Sequence, residues 1–249
     1  MTTPAPGGEP AVPRDVGNWA TKVDRLSAPD GKAAVGYNIT GKKVTGPQQG
    51  FGRLWQRTYA TDLGAAVAVG PLISDWKLHF GDYWPDGSVF HSSLTGIEPG
   101  HVAPIQVGLA SHGPKLATGI LVIYADDESF TFMTPEGHMF AGMITFSAED
   151  RDGRTHVEIK ILIRPNDPLW ELAWPVARRK EDQFWMGTLH NLAAHYGVPD
   201  ADVSEETVCV DRKRLWSNWR NIWHNSGIRS GLHILSAPLR MVRPHRTAK

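Results

Sequence analysis

NDPLWELAWPVARRKEDQFWMGTLHNLAAHYGVP, from Asn166 to Pro199, carries the start and stop signals of one long helix. Asn166 and Asp167 offer short side-chain oxygens to free amides, and Pro168 suits a first turn, where no amide hydrogen is needed. Gly197 follows Tyr196 and Pro199 stands just beyond, a stop signal. Between these ends Trp185, Leu189, Leu192 and Tyr196 recur at i, i+4, i+7 and i+11, which makes one face apolar. Leu169, Leu172 and Val176 predict a similar stripe upstream, with Pro175 as a kink or a late start. Just before, Val157, Ile159, Ile161 and Ile163 alternate with His156, Glu158, Lys160 and Leu162, as in a half-buried strand. A run of strands therefore leads into a helix expected over Asp167–Tyr196.

The pattern upstream extends this order. Ala33 to Thr40 reads as a strand bounded by turns at Asp30-Gly31 and Gly46-Pro47. Phe51 to Thr61 reads as a second strand, rich in β-favouring bulk. In PLISDWKLHFGDYWP, Leu72, Ile73, Trp76 and Phe80 recur at helical spacing until Gly81 and Pro85 interrupt them. From Ser88 onward come short β segments, about 89–96, 101–109, 117–125, 128–134, 139–148 and 154–163, several joined by hairpin-forming residues. Tight turns between consecutive strands imply an antiparallel meander, because parallel pairing needs long crossovers. The fold class is α+β: a curved antiparallel sheet of six or seven strands wrapped around a long C-terminal helix.

That order, together with the stretch Trp76 to Pro85, resembles the START-like, birch-pollen-allergen-like (SRPBCC) helix-grip superfamily, which includes polyketide cyclases. The resemblance covers roughly Phe51 to Gly197. Within the superfamily, FTFMTPEGHMFAGMITFSAED, with Gly137-His138 in a hairpin, resembles an uncharacterised branch. It implies an apolar ligand held between sheet and helix, or chemistry done in the same place; fold alone does not choose between these roles.

Composition and charge narrow the classes. The chain is 41% hydrophobic and 21% charged, ordinary for a globular protein with material for a core. Its single cysteine, Cys209, excludes an intramolecular disulfide and a cysteine-rich zinc site, which fits a cytoplasmic location. No apolar run approaches the roughly 20 residues that span a bilayer. The opening MTTPAPGGEPAVP has no signal-peptide pattern, so residues 1–16 are expected to be a disordered leader, 17–200 the helix-grip domain and 201–249 a basic, Trp-rich helical extension. Residues 211–249 hold nine Lys/Arg and one acid, a net of +8, against −8 for the preceding 210. In that extension Leu215, Trp219, Ile222 and Trp223 form a stripe at α-helical spacing, expected to pack on the acidic body. Peripheral membrane contact through 211–249 is the alternative. Nucleic-acid binding lacks a recognisable module.

Candidate chemistry centres on Glu136, Gly137 and His138 at a hairpin tip, where His138 and Glu136 could serve as acid and base. The plain alternative is an exposed turn. His91, Glu98 and His101 flank a second turn. His190 and His195, five apart on the long helix, do not share a metal-binding face, and no metal is expected. There is no nucleophile elbow, dinucleotide fingerprint or phosphate loop, so no cofactor is expected. Trp55, Tyr59, Trp76, Phe130, Phe132 and Phe140 each read singly as core filler, as do Phe146, Trp185 and Leu189. Together they are expected to line an apolar concavity of the kind that takes a small molecule. Three function classes follow: a binder of an apolar or amphipathic small molecule such as a lipid or polyketide-like compound, an enzyme (cyclase, isomerase or hydrolase) using the same pocket, or a structural protein with a filled core.

Overall fold

A computed structural model describes residues 15–29, 36–64, 67–91, 96–108 and 115–236. Its centre is an antiparallel sheet built from nine strands: β1 (Val44–Thr45), β2 (Leu54–Asp62), β3 (Val89–Phe90), β4 (Val102–Gly108), β5 (Lys115–Ala125), β6 (Ser129–Pro135), β7 (Phe140–Arg151), β8 (Arg154–Pro165) and β9 (Ser204–Asp211). Their order is β3-β4-β5-β6-β7-β8-β2-β9, with β1 paired to β6 off this path. Among the described residues three α-helices accompany them: α1 (Val69–Leu78), the long α2 (Pro168–His195) and α3 (Ser226–Leu235). The sheet grips α2, the helix-grip arrangement expected, and it is larger than the six or seven strands foreseen.

Local chemistry explains the elements. Asp167 accepts from the amides of Leu169 and Trp170 at 2.8 and 3.1 Å, capping α2, and Pro168 opens its first turn. The helix runs through Pro175. At the hairpin between β7 and β8, Asp152 and Gly153 both take positive φ, 53° and 77°, the backbone that a tight two-residue turn requires. From β6 to β8 the registers run without a shift, pairing Phe130 with Phe146 and Phe146 with Ile159 on the core face.

The two halves of α2 are held differently. Toward its C-terminus Leu189, Leu192 and Ala193 are fully buried in the main apolar cluster with Trp76, Phe80, Phe130 and Phe146. In its middle a polar clamp takes over: Arg57 of β2, wholly buried, donates to Glu181 at 2.5 Å, to Asp182, and to Thr207 of β9 at 3.1 Å. Its guanidinium also lies over the rings of Tyr59 and Trp174, at 5.2 and 5.8 Å. Near the N-terminus Glu171 is buried and accepts from Arg53 and Arg214 at 3.1 and 2.9 Å. The upstream stripe is the reverse of the expectation: Leu169, Leu172 and Val176 face solvent, Leu172 at 80% exposure, while Glu171 and Trp174 turn inward. Two arginines neutralise Glu171, so the inward face could be polar.

Other expectations change too. Residues 36–41 form a helical turn where a strand was expected, and Ala33 to Val35 lie outside the described residues, as do 1–14 of the expected leader. Ser204–Asp211, read as part of a helical extension, instead adds β9 to the sheet, antiparallel to β2. The segment Trp216–His224 is helical but of the 3-10 kind. With three residues per turn, Leu215, Asn218, Asn221 and His224 share one ridge. That ridge faces the body: the Leu215 amide donates to Phe51 O at 2.7 Å, and Asn218 donates to the Gln48 and Gly50 carbonyls at 3.0 and 2.9 Å. Asn221 donates to the carbonyls of Gln49 and Asn166, at 2.7 and 2.8 Å. The stripe read at α-helical spacing does not form. Ile222 is half-buried, and Trp219 and Trp223 point outward. Docking is mainly by asparagines, with Trp216 adding an edge contact to the buried Phe51 ring at 5.1 Å. Gly137 permits it, since a Cβ there would collide with the His224 carbonyl.

Two outcomes test this packing. Leu189→Ala should destabilise by about 2–5 kcal/mol, whereas Leu172→Ala should be near neutral; a shift in denaturation midpoint at constant slope is the measurement. Arg57→Met, which strands Glu181 and Asp182, should cost about 3–5 kcal/mol. Adding Glu181→Gln to that variant should recover part of the loss, seen as a non-additive double-mutant cycle.

Candidate functional site

Where α2 passes from its polar clamp to its apolar anchor, it stands off the sheet and leaves a cavity of about 530 Å³. That falls within the roughly 300–1,000 Å³ usual for small-molecule sites. The sheet side is Ile105 and Val107 of β4, Ile120 of β5, Phe132 and Thr134 of β6, Met143 and Ile144 of β7, and Ile161 and Ile163 of β8. Phe80, Trp84, Pro85 and Phe90 close one end, and Trp170, Ala173, Val176, Ala177, Phe184 and Trp185 form the helix wall.

Polar residues interrupt this lining at Asp86, Ser88, Lys180 and Gln183, and at three buried or half-buried positions. Thr134 is committed to the backbone of β7, accepting from the Gly142 amide at 3.2 Å. Trp84 and Trp170 also contribute to the wall, their indole nitrogens buried and without a hydrogen-bond partner among the described residues. His138 is buried in the cavity wall, its Nδ1 lying 3.0 Å from both the amide nitrogen and the carbonyl oxygen of Phe140. Burial depresses its pKa to about 4, outweighing the Phe140 contact, so the ring is neutral near pH 7. Glu181 also lines the cavity; burial pushes its carboxyl up, and the Arg57 guanidinium opposes that rise.

Of the residues foreseen for the site, Phe132, Phe140, Trp185 and His138 line the cavity. Tyr59, Trp76, Phe130, Phe146 and Leu189 are fully buried in the core and do not line it. Trp55 stacks on Trp174 at 5.3 Å, away from the lining. Glu136 and His138 are not brought together. Glu136 turns to Lys42 at 3.8 Å and to His224 Nε2 at 3.4 Å, while Lys42 Nζ lies 3.0 Å from His224 Nδ1. His101 pairs with Glu98 at 3.4 Å, and His195 joins Asp75 at 3.8 Å. Among the described residues no group of His, Cys, Asp and Glu could hold a metal ion. Sequence reasoning missed Trp84, Trp170 and Glu181. The first sits in the Trp76 to Pro85 stretch already singled out, and a buried Glu181 had no signal before Arg57 was known to face it.

A sheet gripping a long helix over a cavity that opens to solvent at one side defines a helix-grip protein, the architecture that the START-like resemblance implies. The family model described as "Domain of unknown function (DUF1990)" matches residues 67–195, just over half of the chain. The chain belongs to that family. Among solved structures it is similar to protein Ms6760 from Mycobacterium smegmatis, at 12% identity and a TM-score of 0.42, covering 56% of this chain and 88% of that one. It is also similar to ginseng major latex-like protein 151 from Panax ginseng, at 15% identity and a TM-score of 0.39, with 58% and 99% covered. The di-domain ARO/CYC StfQ from the steffimycin biosynthetic pathway matches at 10% identity and a TM-score of 0.43, with 57% and 50% covered. At these scores the likenesses carry no functional information. No curated protein matches the chain.

His138 gives the site a pH signature. Its folded pKa lies below the unfolded value near 6.5, so the unfolded chain takes up the proton first and stability falls as pH drops through the interval between them. The full effect is about 3 kcal/mol, reached near pH 4. Relative to wild type, His138→Gln should lack this component: the stability difference between the two should shift by that amount between about pH 7 and about pH 4, read by urea denaturation.

Proposed function

We propose that the cavity between sheet and α2 binds an apolar or amphipathic small molecule. The observation that carries this is a mainly apolar space of about 530 Å³ between the sheet and α2. The ligand chemistry that fits is an apolar body, ring-shaped or chain-like. A space of this size counts against a filled core.

An enzymatic use of the same cavity has one observation in its favour. His138, neutral near pH 7, and Glu181, with a raised carboxyl pKa, both line it. Such a pair is the raw material of proton transfer. Glu136, occupied by Lys42 and His224, contributes nothing to this version. Binding without turnover is the reading preferred here, because Glu181 is tied to Arg57.

Native mass spectrometry of the purified chain should find a co-purified small molecule, or the chain should accept an added apolar dye such as Nile red. Ala177→Trp, which pushes an indole from the helix wall into the cavity, should abolish most dye uptake while leaving the circular-dichroism spectrum unchanged. Equal uptake by both proteins would place binding elsewhere. Loss of dye uptake in His138→Gln as well would assign the histidine to the binding surface.

A further inference from the structure

We infer that the docked C-terminal segment is an attachment face for an anionic lipid bilayer. The body-facing ridge of the 3-10 segment is spent on backbone carbonyls, Ile222 is half-buried, and Trp216 sets an edge against Phe51 with ring centroids 5.1 Å apart. Even so, Trp216, Trp219 and Trp223 are exposed by 69%, 45% and 73%. Indole surface left outward on a segment that already has its docking contacts is not core awaiting a partner in this domain. Indole is the side chain best suited to the boundary between water and hydrocarbon.

Charge lies around the same face. Arg212, Lys213 and Arg220 are exposed, and the Arg220 guanidinium sits 5.7 Å from the Trp219 ring. Of the other lysines and arginines after Asp211 that the structure describes, Arg214 bonds Glu171 and Arg229 bonds Asn38, so these three are the ones left facing outward. A second apolar strip adjoins the first. Arg214 bonds Glu171 and Asn225 bonds Asp167, which sets the segment beside the start of α2. That stretch of α2 exposes Leu169, Leu172 and Val176. Val176 also lines the cavity, so a bilayer seated on this face would lie at the cavity's rim. Among the described residues no helix is long and apolar enough to cross a membrane, and the contact inferred is with its surface.

A second copy of the chain is the rival occupant. A two-fold contact through this face would set each basic segment against its twin, and like charges oppose that arrangement. A surface of anionic headgroups complements both the charge and the tryptophans. The inference stands apart from the ligand reading and needs no occupant in the cavity.

The test uses the full chain and vesicle flotation, comparing phosphatidylcholine alone with phosphatidylcholine mixed with phosphatidylserine. Flotation is expected with the anionic vesicles and should weaken as salt is raised. Trp219→Ser and Trp223→Ser together should abolish it without moving the melting temperature. Arg212→Gln, Lys213→Gln and Arg220→Gln should each weaken it roughly fivefold, a second readout that does not rely on the tryptophan variant folding. Absence of flotation at low salt would overturn the proposal, as would flotation indifferent to both sets of substitutions. A dimer seen by light scattering that becomes monomeric in the double Trp variant would assign the face to a second copy instead.

Discussion

The structure depends on a buried cation. A helix of 28 residues laid on a curved apolar sheet would gain most by collapsing onto it along its whole length. Arg57 works against that. Its side chain is wholly buried between β2 and α2, and removing a guanidinium from water is tolerated only when its donors find partners. Glu181 and Asp182 supply them from the helix and Thr207 from β9, and Trp174 and Tyr59 cover the flat faces of the group. These contacts fix the middle of α2 against β2. Glu171, held by Arg53 and Arg214, does the same one end further along.

The cavity lies beside that clamp, with Glu181 common to both. Where α2 carries Leu189, Leu192 and Ala193 it meets the sheet directly and the space is filled by Trp76, Phe80 and their neighbours. Where polar clamps hold it, the strands opposite present Ile161, Ile163, Met143 and Ile144 to a gap. The aromatic cluster sets the closed end, because Phe80 touches Phe90, Phe130, Phe132 and Phe146 with ring centroids 4.9–5.6 Å apart. Glu181 therefore has two duties, completing the Arg57 clamp and forming part of the cavity wall.

Much of the fold was legible because its signals are local. Asp167, Pro168 and Gly197 mark the ends of α2, and the two-residue alternation through Ile163 marks β8. The errors share another cause, a dependence on partners distant in sequence. Glu171 and Trp174 point inward because of Arg53, Arg57 and Arg214, and nothing near Leu172 in the chain announces them. The C-terminal segment was misread through its period. At 3.6 residues per turn Leu215, Trp219, Ile222 and Trp223 align, whereas at three per turn Leu215 aligns with Asn218, Asn221 and His224. For the site, alternation put Phe130 and Phe132 on one face correctly. It could not tell which of them meets the helix-filled end and which meets the gap.

The family segment divides these features in an informative way. Every cavity-lining residue, from Phe80 to Trp185, falls inside residues 67–195, and so do Glu181 and Asp182. Arg57, Thr207 and the tryptophan-bearing segment fall outside it. The walls of the cavity are thus written within the matched segment, but the cation that clamps α2 at its middle comes from β2, upstream of it. Glu181 and Asp182 are half-buried beside that cation, a setting in which a carboxylate depends on a paired charge. They therefore tie the matched segment to the strand that precedes it, and residues 67–195 alone would leave both without that partner.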